Sequence, residues 1–242
     1  TTSISKLEKH RSCPFSYYLK YGLKIKPQEQ LKIQTINTGT FIHEIIDEFF
    51  TEIKEKEIEL EQITDEEVEK VIDKIIDEKL GQGKNYIFTS TAKYKVLVLR
   101  LKRIIKKALK YIIETIVQSR FKVLGTELEF GEKGKYKPII LTLENGKQVE
   151  IIGKIDRIDT AQNEDGKYLR IIDYKSSIKN IDLNEVYAGI QIQLLTYLDA
   201  VCREEELQPA GILYFNMLEQ IIKADKRMSP EKIEEKIKAN FK

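Results

Sequence analysis

Gly153 to Ser177 reads GKIDRIDTAQNEDGKYLRIIDYKSS, two short apolar runs on either side of a polar turn that contains Asn163, Asp165 and Gly166. The composition of the runs predicts two strands, Val149–Ile158 and Tyr168–Lys175, paired as a hairpin. Each ends in acid. Asp156 follows the run Glu150–Ile155, and Asp173 follows Leu169–Ile172 with Lys175 two residues further on. Side chains alternate faces along a strand, so Asp173 and Lys175 point one way and Tyr174 the other. A hairpin of this length brings Asp156 beside Asp173. Two adjacent carboxylates repel unless a cation lies between them, so hard oxygen ligands next to an ammonium point to a Mg²⁺ or Mn²⁺ site with a lysine aimed at the reacting group.

An Asp, a spacer, then Asp-x-Lys ending an apolar strand resembles the PD-(D/E)XK nuclease superfamily. Upstream, Gly39-Thr40-Phe41-Ile42-His43 is similar to the G-x-x-x-H motif of its RecB- and Cas4-type branch. Downstream, Gln193-Leu194-Leu195-Thr196-Tyr197 is similar to the Q-x-x-x-Y motif. The opening Ser3–Glu8, Cys13-Pro14-Phe15 and the GKIDRID form of the central motif most resemble the nuclease domains of AddB-type subunits of bacterial helicase-nucleases. The resemblance covers almost the whole chain, with five motifs in family order. It implies an α/β (α+β) fold with a restriction-endonuclease-like core, a mixed central sheet flanked by helices and a helical insertion.

It also implies a function. The expectation is a single domain over 1–242: mainly helical 38–119, a catalytic core over 121–217, and a truncated segment over 218–242. The start at Thr1-Thr2 and the basic end suggest a fragment of a larger subunit. The activity implied is a metal-dependent DNA exonuclease, acting on the 5′-terminated strand of broken ends for recombinational repair while an AddA-like helicase partner unwinds them. His43, Asp156, Asp173 and the Tyr174 carbonyl are expected to hold Mg²⁺, for which Mn²⁺ can substitute. Lys175 is expected to handle the attacking water, with Gln193 and Tyr197 ordering that lysine. Glu127, in the pattern E-x-x-F-G, is an additional acid or a plain surface strand residue. Alternatives are a stand-alone Cas4-like 5′ single-strand exonuclease and a catalytically silent DNA-binding scaffold.

Bulk properties bound these readings. The 242 residues suffice for one substantial core, and a net charge of +2 confines any nucleic-acid footprint to local patches. No apolar stretch is long enough to span a bilayer and no signal peptide is visible, so a cytoplasmic protein with no membrane partner is expected. Cys13 and Cys202 are too few for a disulfide framework or a four-thiolate site. Cys13 reads as a small buried hydrophobe; the resemblance makes it the first ligand of a 4Fe–4S cluster that forms only in a longer chain. No Walker-type phosphate loop is present.

Along the chain, Ser5 and Glu8 read as a capping box for a first helix interrupted at Cys13-Pro14. Thr38 reads as the cap of a second helix with Ile42, Ile45, Ile46, Phe49, Phe50 and Ile53 on its inner face; Asp47, one turn beyond His43, is a candidate to hold the imidazole in place. Thr64 and Glu67 cap an acidic helix ended by Gly81, its acid read as a solvated face. The next helix, about Thr91 to Ser119, is basic: Arg100, Arg103, Lys107 and Lys110 form a candidate DNA track or an ordinary solvated face. Strands follow at Leu124–Phe130 and Lys137–Leu143, with a hairpin turn at Glu144–Lys147. A helix is expected over Asn184–Glu205, a buried strand over Ala210–Met217, and a terminal helix from Ser229-Pro230-Glu231.

Overall fold

The computed structural model describes residues 1–25, 35–80, 91–217, 229 and 231–233. The expected hairpin is its centre. Strands β4 (Gly153–Asn163) and β5 (Gly166–Lys175) pair antiparallel from Asn163–Gly166 to Arg157–Ile172. Asn163 turns the chain by accepting from the Asp165 and Gly166 amides, both at 3.0 Å. β1 (Lys122–Phe130) flanks β4 antiparallel and β6 (Gln208–Asn216) flanks β5 parallel, giving a mixed sheet of order β1-β4-β5-β6. The parallel step requires a crossover, which α6 (Leu183–Tyr187) and α7 (Gln193–Glu204) supply.

Alternation along β5 divides the apolar residues between two cores. Ile172 and Tyr174 face α3 (Thr35–Glu55), α4 (Asp65–Leu80) and α5 (Ala92–Val117), while Leu169 and Ile171 face α7 and α1 (Ile4–Ser12). The helix faces read from the sequence are the ones buried: Ile42, Ile45, Ile46 and Phe49 on α3, Ile72, Ile75 and Ile76 on α4, and Leu101, Ile105 and Ile112 on α5. The Thr64–Glu67 capping box is formed, and the Thr91 side chain accepts from the Tyr94 amide to cap α5.

Several expectations are corrected. The run Val149–Ile158 is not one strand. It breaks at Ile152: β3 (Gln148–Ile151) pairs with β2 (Ile139–Thr142) in a separate two-stranded sheet, so Asp156 lies near the start of β4, not at a strand end. The break follows from the N-terminus, whose Thr2 donates to the Glu150 carbonyl and accepts from the Ile152 amide. Ser5 and Glu8 form no capping box. Ser3 begins α1, and Glu8 instead accepts from the amides of Ile192 and Gln193, at 2.7 and 2.9 Å, capping α7. Thr38 lies inside α3 and does not cap it. The expected 184–205 helix is two, separated by a turn in which buried Gln191 accepts from the Asp182 amide and donates to the Asn180 carbonyl. β6 is a half-exposed edge strand, where a buried one was expected.

The acid of α4 is a solvent-exposed face, as expected, and part of it is ion-paired to α5. Lys102 reaches Asp77 at 2.8 Å, Lys106 reaches Asp73 at 2.8 Å and Glu69 at 3.1 Å, and Lys110 pairs with Asp65, so the charges of α4 and α5 answer each other. Helix breaking at Cys13 holds, with α2 (Pro14–Tyr17) and a π-turn (Tyr18–Gly22) beyond it. Residues 231–233 are helical; Gly81 and the rest of the terminal helix lie outside the described residues. Among the described residues, no helix is long and apolar enough to cross a membrane.

Candidate active site

The β4–β5 ladder stops at Arg157–Ile172, yet the β5–β6 ladder continues to Lys175–Asn216. Beyond that fork the polar groups of Tyr174 are taken by side chains. Its amide donates to Asp156 Oδ2 at 2.7 Å, and its carbonyl lies 2.9 Å from His43 Nε2. A carbonyl only accepts, so Nε2 carries the proton and donates; Nδ1 faces the carboxylates, 3.4 Å from Asp156 and 3.8 Å from Glu127. His43, Glu127 and Asp156 each offer a ligand atom within 4.8 Å of the others.

Strict alternation would not assemble this trio. Glu127 has a positive φ of 49°, and β1 is also bulged between Val123 and Gly125. Thr126 and Glu127, although consecutive, therefore both reach residues of α3: Thr126 donates to Asp47 at 2.5 Å and Glu127 approaches His43. Across the ladder, Ile155 and Ile158 both enter the α7-side core although three apart, so β4 slips phase at Asp156–Arg157. Glu127 was a candidate acid in the sequence; the left-handed backbone that brings it to His43 was not read there. Asp47, read as a support for His43, ties α3 to β1 instead.

The electrostatics are those of a crowded anionic pocket. Burial, countered by Lys154 and reinforced by Asp156, raises the Glu127 carboxyl above the usual carboxylate range. Burial and Asp156 likewise raise Asp173 against the pull of Lys175. Burial opposes the charged form of His43, but Asp156, Glu127 and the Tyr174 carbonyl together lift its pKa. A half-buried imidazole and two crowded carboxylates make a donor set that a divalent cation fits and would relieve. The histidine geometry agrees: a metal-ligating imidazole ordinarily donates its other N–H to a carbonyl or carboxylate.

These groups open onto a cavity of about 460 Å³ lined by Gly39, Thr40, His43, Glu44, Glu127, Lys154, Asp156, Tyr174, Lys175, Ser176 and Ser177. Gly39 faces the chain after β5, where an added Cβ would stand at ordinary contact, 3.4 Å from Ser176 Oγ. Lys175 is ion-paired to Asp173 at the cavity edge, and Lys154 is ion-paired to Glu127. Lys154 received no role from the sequence; its place two residues before Asp156 was the available signal. Asp173 lies outside the compact trio and the cavity lining.

The remaining candidates lie apart from the cavity lining. Gln193 accepts from Ser5 at 3.3 Å, and Tyr197 is buried against Phe130 with its hydroxyl on the Lys154 amide. Burial pushes the Tyr197 hydroxyl up to about 12. Arg100, Arg103 and Lys107 lie on the exposed side of α5, and Lys110 is paired to Asp65. Cys13 caps α2, its Sγ accepting from the Ser16 amide at 3.4 Å, and Cys202 is buried in α7.

A forked strand end carrying Asp156 and Asp173-x-Lys175 on a mixed sheet, with His43 brought to it by α3, is the arrangement of the PD-(D/E)XK class. A family model of the PD-(D/E)XK nuclease superfamily matches residues 1–241, and the chain belongs to that superfamily. It is 41% identical over 241 residues to the B subunit of the ATP-dependent helicase/deoxyribonuclease of Clostridium novyi (strain NT), a match covering 97% of this chain and 21% of that one. The same-named protein of Clostridioides difficile (strain 630) is 41% identical over 240 residues, and that of Caldanaerobacter subterraneus subsp. tengcongensis 39% over 240, with the same coverage. The chain thus spans about a fifth of the length of these relatives.

Proposed function

We propose that this chain is the DNA-cutting domain of an AddB-like helicase-nuclease subunit. In this reading residues 1–242 form a single nuclease domain that hydrolyses phosphodiester bonds of DNA as an exonuclease. It would work in the cytoplasm, trimming the 5′-terminated strand of broken ends while an AddA-like partner unwinds them for recombinational repair. The observation that carries the catalytic part is the convergence of His43, Glu127 and Asp156 beside Lys175. Similarity to the helicase/deoxyribonuclease relatives supports the helicase context.

His43, Glu127 and Asp156 would hold Mg²⁺, or Mn²⁺ in its place, with Asp173 alongside. When bound, such an ion acidifies water and neutralises charge on the phosphoryl oxygens. The residues of the chain do the rest. The Tyr174 carbonyl fixes the imidazole tautomer and the Tyr174 amide fixes the Asp156 rotamer. Lys175, tethered by Asp173, is placed to donate to a phosphoryl oxygen, stabilising negative charge as water oxygen adds to phosphorus and the bond to the 3′ oxygen breaks. Gln193 and Tyr197 on α7 are proposed to act on the DNA side of the site, away from the cavity lining, and Arg100, Arg103, Lys107 and Lys110 as phosphate contacts on α5. Two cysteines do not make a four-thiolate set, so a 4Fe–4S cluster at Cys13 belongs to a longer chain.

End-labelled single-stranded DNA incubated with the chain and Mg²⁺ or Mn²⁺ tests the proposal. Cutting should stop on chelation and be lost in Asp156→Ala. Cutting that survives both would refute it.

A further inference from the structure

Beneath the site, on the α3 side of the sheet, lies a buried group that no catalytic step uses. Arg157 and Asp159 are 3% and 0% exposed. Arg157 Nε lies 2.9 Å from Asp159 Oδ1 and its Nη2 donates to Oδ2 at 3.2 Å; Arg170 donates to the same carboxylate at 3.0 Å. The other arm of Arg157 donates to the Tyr174 hydroxyl at 2.9 Å. Its guanidinium sits 5.7 Å from the Tyr174 ring centroid and 5.8 Å from that of Phe50.

Stability alone is a poor reason for such a group. Removing charges from water into a core costs several kcal/mol per ion, and apolar replacements of similar volume are often neutral or stabilising. What Arg157 grips is informative. Tyr174 is the residue whose amide holds Asp156 and whose carbonyl holds His43, at the point where the β4–β5 ladder has ended and no longer fixes that peptide. We infer that Arg157, clamped by Asp159, is a positioning residue for the cation site: it locks the Tyr174 side chain, and through it the two peptide groups that aim Asp156 and His43. Arg157 acts in place of the β4 side of the ladder, while β6 still pairs the other edge of β5. This rests on the proposed reading of the trio as a metal site.

The test is Mn²⁺ binding to the 242-residue chain by calorimetry, alongside thermal melting with and without Mn²⁺, for the parent, Tyr174→Phe, Arg157→Met and His43→Ala. Tyr174→Phe removes only the gripped hydroxyl and retains the ring in its core. The inference requires both Tyr174→Phe and Arg157→Met to weaken Mn²⁺ binding by about 10- to 100-fold, the range for groups that orient ligands. Melting without metal that drops while Mn²⁺ affinity stays at the parent value would make the group a structural brace and overturn the inference alone. A parent that binds no Mn²⁺, or a His43→Ala variant that binds it as well as the parent, would overturn the metal reading and the inference with it. Should Arg157→Met fail to fold, Tyr174→Phe decides.

Discussion

Replacing Gly153 with alanine should damage the fold and the site together. An added Cβ would stand 1.8 Å from the Tyr197 hydroxyl oxygen and 2.6 Å from Cζ. Ordinary contact begins near 3.4 Å, so the hydroxyl must retreat by about 1.6 Å. The ring cannot do so alone, because it is buried and stacked on Phe130 at a centroid distance of 5.2 Å. α7 must lift, and the hydrogen bond to the Lys154 amide breaks. Overpacking costs about 1–3 kcal/mol and the lost bond about 1 more. For a chain of this size that lowers the melting midpoint by roughly 5–15 °C. Tyr197→Phe combined with Gly153→Ala should recover part of the loss, since only the oxygen contact is removed. Differential scanning calorimetry on the two single variants and the double variant gives the coupling energy. A Gly153→Ala midpoint within about 1 °C of the parent would show that Tyr197 does not occupy the space above Gly153.

Three further outcomes are expected. Asp173→Ala and Lys175→Ala should each lower the rate of DNA cutting by about 10²- to 10⁴-fold with the circular dichroism spectrum unchanged, and parental rates in either would remove that residue from the chemistry. Glu8→Ala should destabilise the chain by about 1 kcal/mol in urea titrations through loss of the α7 cap, whereas Glu8→Gln, which keeps an acceptor, should cost less; equal losses would refute the capping role. In acid, stability should fall. Lys56 and Lys74 hold the Glu52 carboxyl below its ordinary value, and Lys106 and Lys102 do the same for Asp73 against the effect of burial. Groups with depressed folded pKa values stabilise above their unfolded pKa and lose that contribution as pH drops through the folded one. Below about pH 4 the urea midpoint of the parent should therefore fall more steeply than that of a Glu52→Gln, Asp73→Asn double variant. In that comparison the opposite contributions of His43, Glu127 and Asp173, whose folded pKa values are raised, cancel. Equal slopes in the parent and the double variant would contradict this.

Much of the site was legible because its chemistry is local in sequence. Asp173 and Lys175 share a face by strand periodicity alone, and the helical spacing of Ile42, Ile45, Ile46 and Phe49 placed His43 at the border of a buried stripe. What escaped depended on distant partners. Glu127 joins His43 and Asp156 only because its backbone turns left-handed within a strand, and an acidic residue carries no mark of that. Glu8 three residues after Ser5 satisfied a local capping rule, but the orphan amides of α7 competed for the carboxylate. The continuous apolar run through Ile152 concealed a sheet boundary because Thr2 supplies the pairing there. The acidic face of α4 is exposed as read, but the pairing of Asp73 and Asp77 with Lys102 and Lys106 of α5 was not visible from either helix alone.

The stitching of the N-terminal residues has a consequence in time. Thr2 pairs with Glu150 and Ile152, and Glu8 reaches amides 184 and 185 positions further along the chain. On a ribosome adding about 5–20 residues per second, α1 waits roughly 10–40 s before its partners emerge. Throughout that interval Ile4, later among the most deeply buried side chains, has no core to enter. The nascent chain therefore carries Ile4 unclaimed through that interval, and β3, β4 and α7 are completed only when residues 2–8, made well before them, return to pair with them.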